Sequence, residues 1–131
     1  MNYIKLGKGD GAKVHTGGGQ QGNKGFYIQP TIFTDAKPGM KIVQEEIFGP
    51  VAVIVKFKDE AEVIREANDS MYGLSSNIFT KDINRATRIT NAIESGSVYV
   101  NMASIPDFRI PFGGFKQSGH GKEMGPEALE G

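Results

Sequence analysis

Two acids stand side by side, just before an aromatic and a rigid turn, in Gln44-Glu45-Glu46-Ile47-Phe48-Gly49-Pro50. An ionised carboxylate only accepts hydrogen bonds, so one fixed beside a Gly-Pro turn can take the paired hydroxyls of a sugar. Two solvated acids at a helix end would look the same. A second stretch, residues 111–123, combines Gly113, Gly114, Gly119 and Gly121 with Lys116, His120 and Lys122. Read alone, it is either an anion-binding nest of backbone N–H groups or a close-packed loop. Gly17-Gly18-Gly19-Gln20-Gln21-Gly22 fits the pattern G-x-G-x-x-G. A dinucleotide fingerprint needs a strand before it and a helix after it. Residues 23–33 read as extended, so the match is taken as a glycine-rich turn.

Much chemistry is excluded by what the chain lacks. It has 131 residues and no cysteine, so disulfides, thiolate metal sites and a cysteine nucleophile are ruled out within it. His15 and His120 are the only histidines, too few for a histidine zinc site, and no metal is expected. Fifteen basic residues balance fifteen acidic ones, which leaves no global field for a nucleic acid. No apolar run approaches the ~20 residues that span a bilayer, so no membrane contact is expected. Hydrophobic residues at 38% and charged residues at 23% describe a globular chain. Residues 1–5 carry no targeting pattern, and a cytoplasmic location is the expectation.

The elements that must hold these residues follow from periodicity and turn chemistry. Residues 12–15 read as a short strand running into Gly17. Residues 26–33 read as extended, with Pro30 placing them at an edge or in a loop. Residues 35–40 form a turn. Residues 51–57, VAVIVKF, are the strongest strand, a near-continuous apolar run expected to be covered on both faces. Asp59 with Glu62 makes a capping-box pattern for a helix whose stripe is Ala61, Val63, Ile64 and Ala67. Residues 74–79 are a strand. Asp82 starts a second helix with Ile83, Ala86, Ile89 and Ile93 on one face, and Gly96 ends it. Residues 97–100 are the next strand. Strand, helix, strand, helix, strand at this spacing gives a pair of βαβ units and a parallel sheet. The polar, glycine-rich start has no element assigned to it, and residues 101–131 read as irregular. Both ends read as cut.

Several of these stretches occur together and in one order: Glu46-Ile47-Phe48-Gly49-Pro50-Val51, Tyr72-Gly73-Leu74, Phe79-Thr80-Lys81-Asp82, Gly96 to Asn101, and Pro111-Phe112-Gly113-Gly114-Phe115-Lys116 with Ser118, Gly119, Gly121, Lys122 and Glu123. That order resembles the NAD(P)-dependent aldehyde dehydrogenases, most closely the broad-specificity NAD-linked branch, over residues 3–129. The resemblance implies an α/β fold, a parallel three-layer sheet with βαβ units. It implies that residues 1–131 are a C-terminal portion of the catalytic domain, without the Rossmann domain and the nucleophile region. In that family a cysteine attacks the aldehyde, hydride passes to the nicotinamide, and a glutamate activates water. None of those catalytic groups falls on this chain, so by itself it is expected to be inactive.

Residue by residue, the resemblance makes Glu46 the carboxylate that holds the nicotinamide-side ribose. It makes Phe48 the aromatic near the nicotinamide and Phe112 an aromatic of the aldehyde pocket. Residues 103–110 become the variable wall that sets substrate size. In that wall Pro106 reads as a stiffener, and Arg109 as a solvated charge rather than a carboxylate clamp. Lys122-Glu123 stands where the family shows Arg-Glu, which loses a planar fork. The implied function is oxidation of aldehydes to carboxylic acids. The implied partners are NAD or NADP, a small-molecule aldehyde, and further copies in a dimer or tetramer. The alternative is a non-catalytic binding or assembly module that keeps the fold.

Overall fold

The computed structural model describes residues 1–103, 105 and 107–129; Ser104 and Pro106 of the wall lie outside them. The chain divides into two compact units, residues 1–57 and 58–131.

The first unit contains α1 (Asn2–Gly9), β1 (Lys13–Thr16), β2 (Thr31–Thr34), α2 (Lys41–Gln44) and β3 (Val51–Val53). Its sheet runs β1-β2-β3, antiparallel between β1 and β2 and parallel between β2 and β3. Parallel neighbours need a crossover, and α2 supplies it. Phe33 at the centre is wholly buried, among Ile4, Ala12, Ala36 and Ile42. Burying one such ring is worth roughly 1.5–3 kcal/mol.

Three expectations change here. The glycine-rich start is a helix. Its Gly7 sits where a Cβ would stand 2.9 Å from Ile42 and 3.0 Å from the Phe33 ring, so glycine lets α1 close onto the core. Pro30 stays outside β2, which begins one residue later and takes the central place in the sheet. A proline cannot donate to a ladder, and the strand starts where donation resumes: the Thr31 N–H binds the Pro50 carbonyl at 2.8 Å. The strongest predicted strand is only three residues long and is covered on one face. Val51, Val53 and Val55 pack toward the core, whereas Ala52 and Ile54 are exposed.

The second unit contains α3 (Glu60–Asn68), β4 (Tyr72–Gly73), β5 (Ser75–Ile78), α4 (Ile83–Ala92), β6 (Ser97–Val100), β7 (Phe115–Lys116) and a 3-10 turn (Pro126–Leu129). β5, α4 and β6 form the expected βαβ unit, with Ser75 to Ile78 in parallel register with Ser97 to Val100. β3 and β5 belong to different sheets, so the other βαβ unit is β2-α2-β3 rather than the one read through α3. Both helix starts are as read. Asp59 accepts the Glu62 N–H at 2.8 Å, while Glu62 reaches back to the Lys58 N–H. Asp82 accepts from the Asn84 and Arg85 N–H groups. Asp82→Ala is expected to cost about 1 kcal/mol, read as a lower denaturant midpoint, with Asp82→Asn restoring most of it.

Apolar packing is thin in this unit. Among its described residues only Ala86 is a buried hydrophobic side chain, and the expected stripe members Ala61, Ala67 and Ile83 are exposed. Polar clasps join the two helices instead. Glu60 on α3 accepts from Arg85 at 3.2 Å and from Arg88 at 2.8 and 3.0 Å. The hydrogen bonds from Arg88 come first in holding the Glu60 carboxyl below the usual carboxylate range. At the other end, the Asn68 amide donates to the Ala92 carbonyl and accepts the Glu94 N–H.

Candidate functional site

In the first unit, the acidic loop starts where α2 stops. Glu45 is already extended, at φ −108° and ψ 149°, and Gly49-Pro50 leads directly into β3. The two acids are not equivalent. Glu45 accepts the Tyr3 hydroxyl at 3.0 Å, which ties it back to α1. Glu46 is exposed and makes no hydrogen bond or ion pair with any described residue. Phe48 holds its ring 92% exposed. A free acceptor-only carboxylate and a bare aromatic thus share one short loop anchored at both ends. That chemistry fits two sugar hydroxyls and a flat ring face.

The 17–22 glycine pattern leads into bends and a single bridge from Gln20 to Ile28, with no helix behind it. It therefore offers no helix N-terminus for a pyrophosphate.

In the second unit, the linked motifs turn out to be physical contacts. Asn101, in the left-handed region at φ 56°, accepts the Thr80 N–H at 2.9 Å and donates to the Thr80 carbonyl at 2.8 Å, closing the turn before Asp82. Tyr72-Gly73 pairs with Phe115-Lys116, and the Ser118 hydroxyl accepts the Gly73 N–H at 2.9 Å. Lys116 binds Glu94 at 2.6 Å. Gly96 follows the last turn of α4 by several residues, since the helix already ends at Ala92, so Gly96 does not terminate it. Its reason is proximity: a Cβ there would fall 1.7 Å from the Gly113 carbonyl oxygen. Close approach thus accounts for Gly113 and Gly114, whereas Gly119 and Gly121 have open space around them and left-handed backbone.

Phe112 is half-buried and exchanges two 2.7 Å backbone hydrogen bonds with Glu123. It lines a cavity of about 520 Å³ with Tyr99, Met102, Ile110, Met124 and Asp107. Lys122 lies 5.6 Å over the Phe115 ring. Arg109 is mostly exposed, as read, but it is not a lone charge, because it is ion-paired with Asp107. The reading from sequence passed over Asp107 and Met124. Opposite charges two residues apart at Asp107 and Arg109 were the available signal for the first.

The chain thus carries an exposed carboxylate-aromatic loop in one unit and a largely apolar cavity in the other. The comparisons with known proteins place it in a family. The model of the aldehyde dehydrogenase family matches residues 1–131, and the chain belongs to that family. It is 55% identical over 129 residues to an aldehyde dehydrogenase of Agaricus bisporus, covering 98% of this chain and 26% of that protein. It is 48% identical over 129 residues to the "Aldehyde dehydrogenase, cytosolic 1" of Rattus norvegicus, with the same two coverages. The NAD+ complex of a Bacillus cereus aldehyde dehydrogenase superposes with a TM-score of 0.95 at 44% identity, over 98% of this chain and 26% of that one. The chain therefore spans about a quarter of the length of the relatives it matches. None of its described helices is long and apolar enough to cross a membrane.

Proposed function

We propose that this chain is the C-terminal portion of the catalytic domain in a whole protein that oxidises aldehydes to carboxylic acids with NAD or NADP. The observation that carries this reading is the division of labour between neighbouring acids: Glu45 accepts the Tyr3 hydroxyl, and Glu46 is exposed with no partner among the described residues. Glu46 accepts the two hydroxyls of the nicotinamide-side ribose and so fixes the ring's direction. Phe48 packs beside that ring, and Phe112 forms part of the wall around the aldehyde. When bound, the dinucleotide supplies the hydride acceptor. The nucleophile comes from outside these 131 residues, which contain no cysteine. The NAD+ complex of the Bacillus cereus relative supports the dinucleotide, and the rat relative's name supports a cytoplasmic location. The whole protein is read as a homo-oligomer, a dimer or tetramer.

The lack of a cysteine also favours a second reading, a non-catalytic module that keeps the family fold. Steady-state NAD(P) reduction with a simple aldehyde separates the two. The whole protein is expected to turn over, and the isolated 131-residue chain to show no reduction above background, because nucleophile and base are both missing. Reduction by the isolated chain would overturn the proposal. A folded whole protein that binds dinucleotide and aldehyde without turnover would favour the module.

A further inference from the structure

The cavity in the second unit is lined by residues of β6 and of the 102–112 stretch together with Met124, and among its described lining residues only Asp107 carries a formal charge. Asp107 is paired with Arg109 through both of its oxygens. Its Oδ1 accepts the Arg109 backbone N–H at 3.0 Å and Nε–H at 2.9 Å. Its Oδ2 accepts Nη2–H at 2.6 Å and Nε–H at 3.2 Å. Three N–H groups of one arginine thus hold the carboxylate, with the single Nε–H shared between its two oxygens. The fork geometry fixes the guanidinium against the carboxylate rather than leaving it as a mobile charge. The segment that carries the pair ends at Ile110, directly before Pro111 and Phe112.

We infer that the Asp107–Arg109 pair is a charge-cancelling device in the wall of the substrate pocket, which selects uncharged aldehydes over aldehydes that carry a carboxylate or an ammonium group. This rests on the aldehyde-pocket reading of Phe112 given above. Neither residue touches the reacting atoms; both set the field felt by the far end of the substrate. With the pair intact, an anionic substrate finds no uncompensated cation and a cationic one finds no uncompensated anion. Either would lose hydration without recompense. Removing one member should therefore switch the preference, and removing both should restore it.

The test is a double-mutant cycle in the whole protein with three probes: benzaldehyde, 4-carboxybenzaldehyde and trimethylammonioacetaldehyde. Calorimetric binding and kcat/KM are measured for each. The unmodified protein is expected to favour benzaldehyde over 4-carboxybenzaldehyde. Asp107→Asn leaves Arg109 uncompensated and should raise the relative preference for 4-carboxybenzaldehyde about tenfold, a size set by one partly screened charge at short range. Arg109→Gln should instead raise the relative preference for the cationic probe by a similar factor. The double variant should return to the original ratios, which a merely structural role for the pair would not produce. Unchanged ratios in both single variants, or a double variant that stays shifted, would overturn the inference. Absence of turnover with every probe in the unmodified protein would count against the dehydrogenase reading alone, since the binding ratios would still decide the selectivity.

Discussion

Glu46→Gln in the whole protein is expected to lower kcat by on the order of a hundredfold, which corresponds to about 2.7 kcal/mol of barrier. The glutamine keeps the size and one acceptor oxygen but turns the other acceptor into a donor. It cannot then take both ribose hydroxyls, and the nicotinamide direction loosens by ~1 Å, enough for a loss of that order. Because the role proposed for the carboxylate is to orient the dinucleotide and not to touch the aldehyde, the aldehyde KM should move little. Hydride transfer should become rate-limiting, so a primary isotope effect should appear with the deuterated aldehyde. Glu45→Gln is the matched control. It alters the Tyr3 hydrogen bond and nothing proposed for catalysis, so kcat should stay within about twofold, in line with the small effects of surface substitutions. Unchanged kinetics in a folded Glu46→Gln protein would reduce Glu46 to a solvated acid and remove the main support for the cofactor site.

Gly96→Ala should produce a large loss of stability. The new Cβ would lie 1.7 Å from the Gly113 oxygen and 2.9 Å from its carbonyl carbon, and both are backbone atoms that no rotamer change can move aside. Overpacking of this kind typically costs 1–3 kcal/mol and occasionally more, and a clash against main chain belongs at about 3 kcal/mol or above. The obstacle cannot be cleared locally either, because a Cβ on Gly113 itself would meet the Gly121 oxygen at 2.6 Å. A clear drop in the denaturant midpoint of the whole protein is the expected result. Gly9→Ala, in α1 with nothing within 4 Å of the added carbon, should be neutral or slightly stabilising. Equal midpoints for the two variants would mean that the 113–114 stretch yields easily and that its glycines are not there for close approach.

What could be read from the sequence was whatever local chemistry decides. Asp59 and Asp82 cap helices with their own side-chain oxygens, and both starts were legible for that reason. The helix α1 was not, because Gly7 lowers helix propensity and its justification lies in Phe33 and Ile42, more than twenty residues away. The length and burial of β3 were misjudged on an apolar run whose outward face stays exposed. Choosing Glu46 over Glu45 needed the family resemblance, since two adjacent glutamates look alike until Tyr3 reaches one of them. The engagement of Arg109 by Asp107 could have been read from their spacing, but the cavity beside it depends on β6 and Met124 and could not.

The uneven interior described above also means that one melting temperature is a poor description of this chain. Residues 1–57 hold a small apolar centre around Phe33, whereas the described residues of 58–131 bury few apolar side chains fully and join their helices through the Glu60–Arg88 pair and the Asn68 amide. Salts act on these two sources by different routes. Simple salt screens exposed pairs with a Debye length of about 8 Å under physiological conditions, and strongly hydrated anions such as sulfate strengthen apolar burial. Sodium chloride is therefore expected to loosen the Glu60 clasp while leaving the Phe33 centre largely untouched, and sulfate to strengthen that centre.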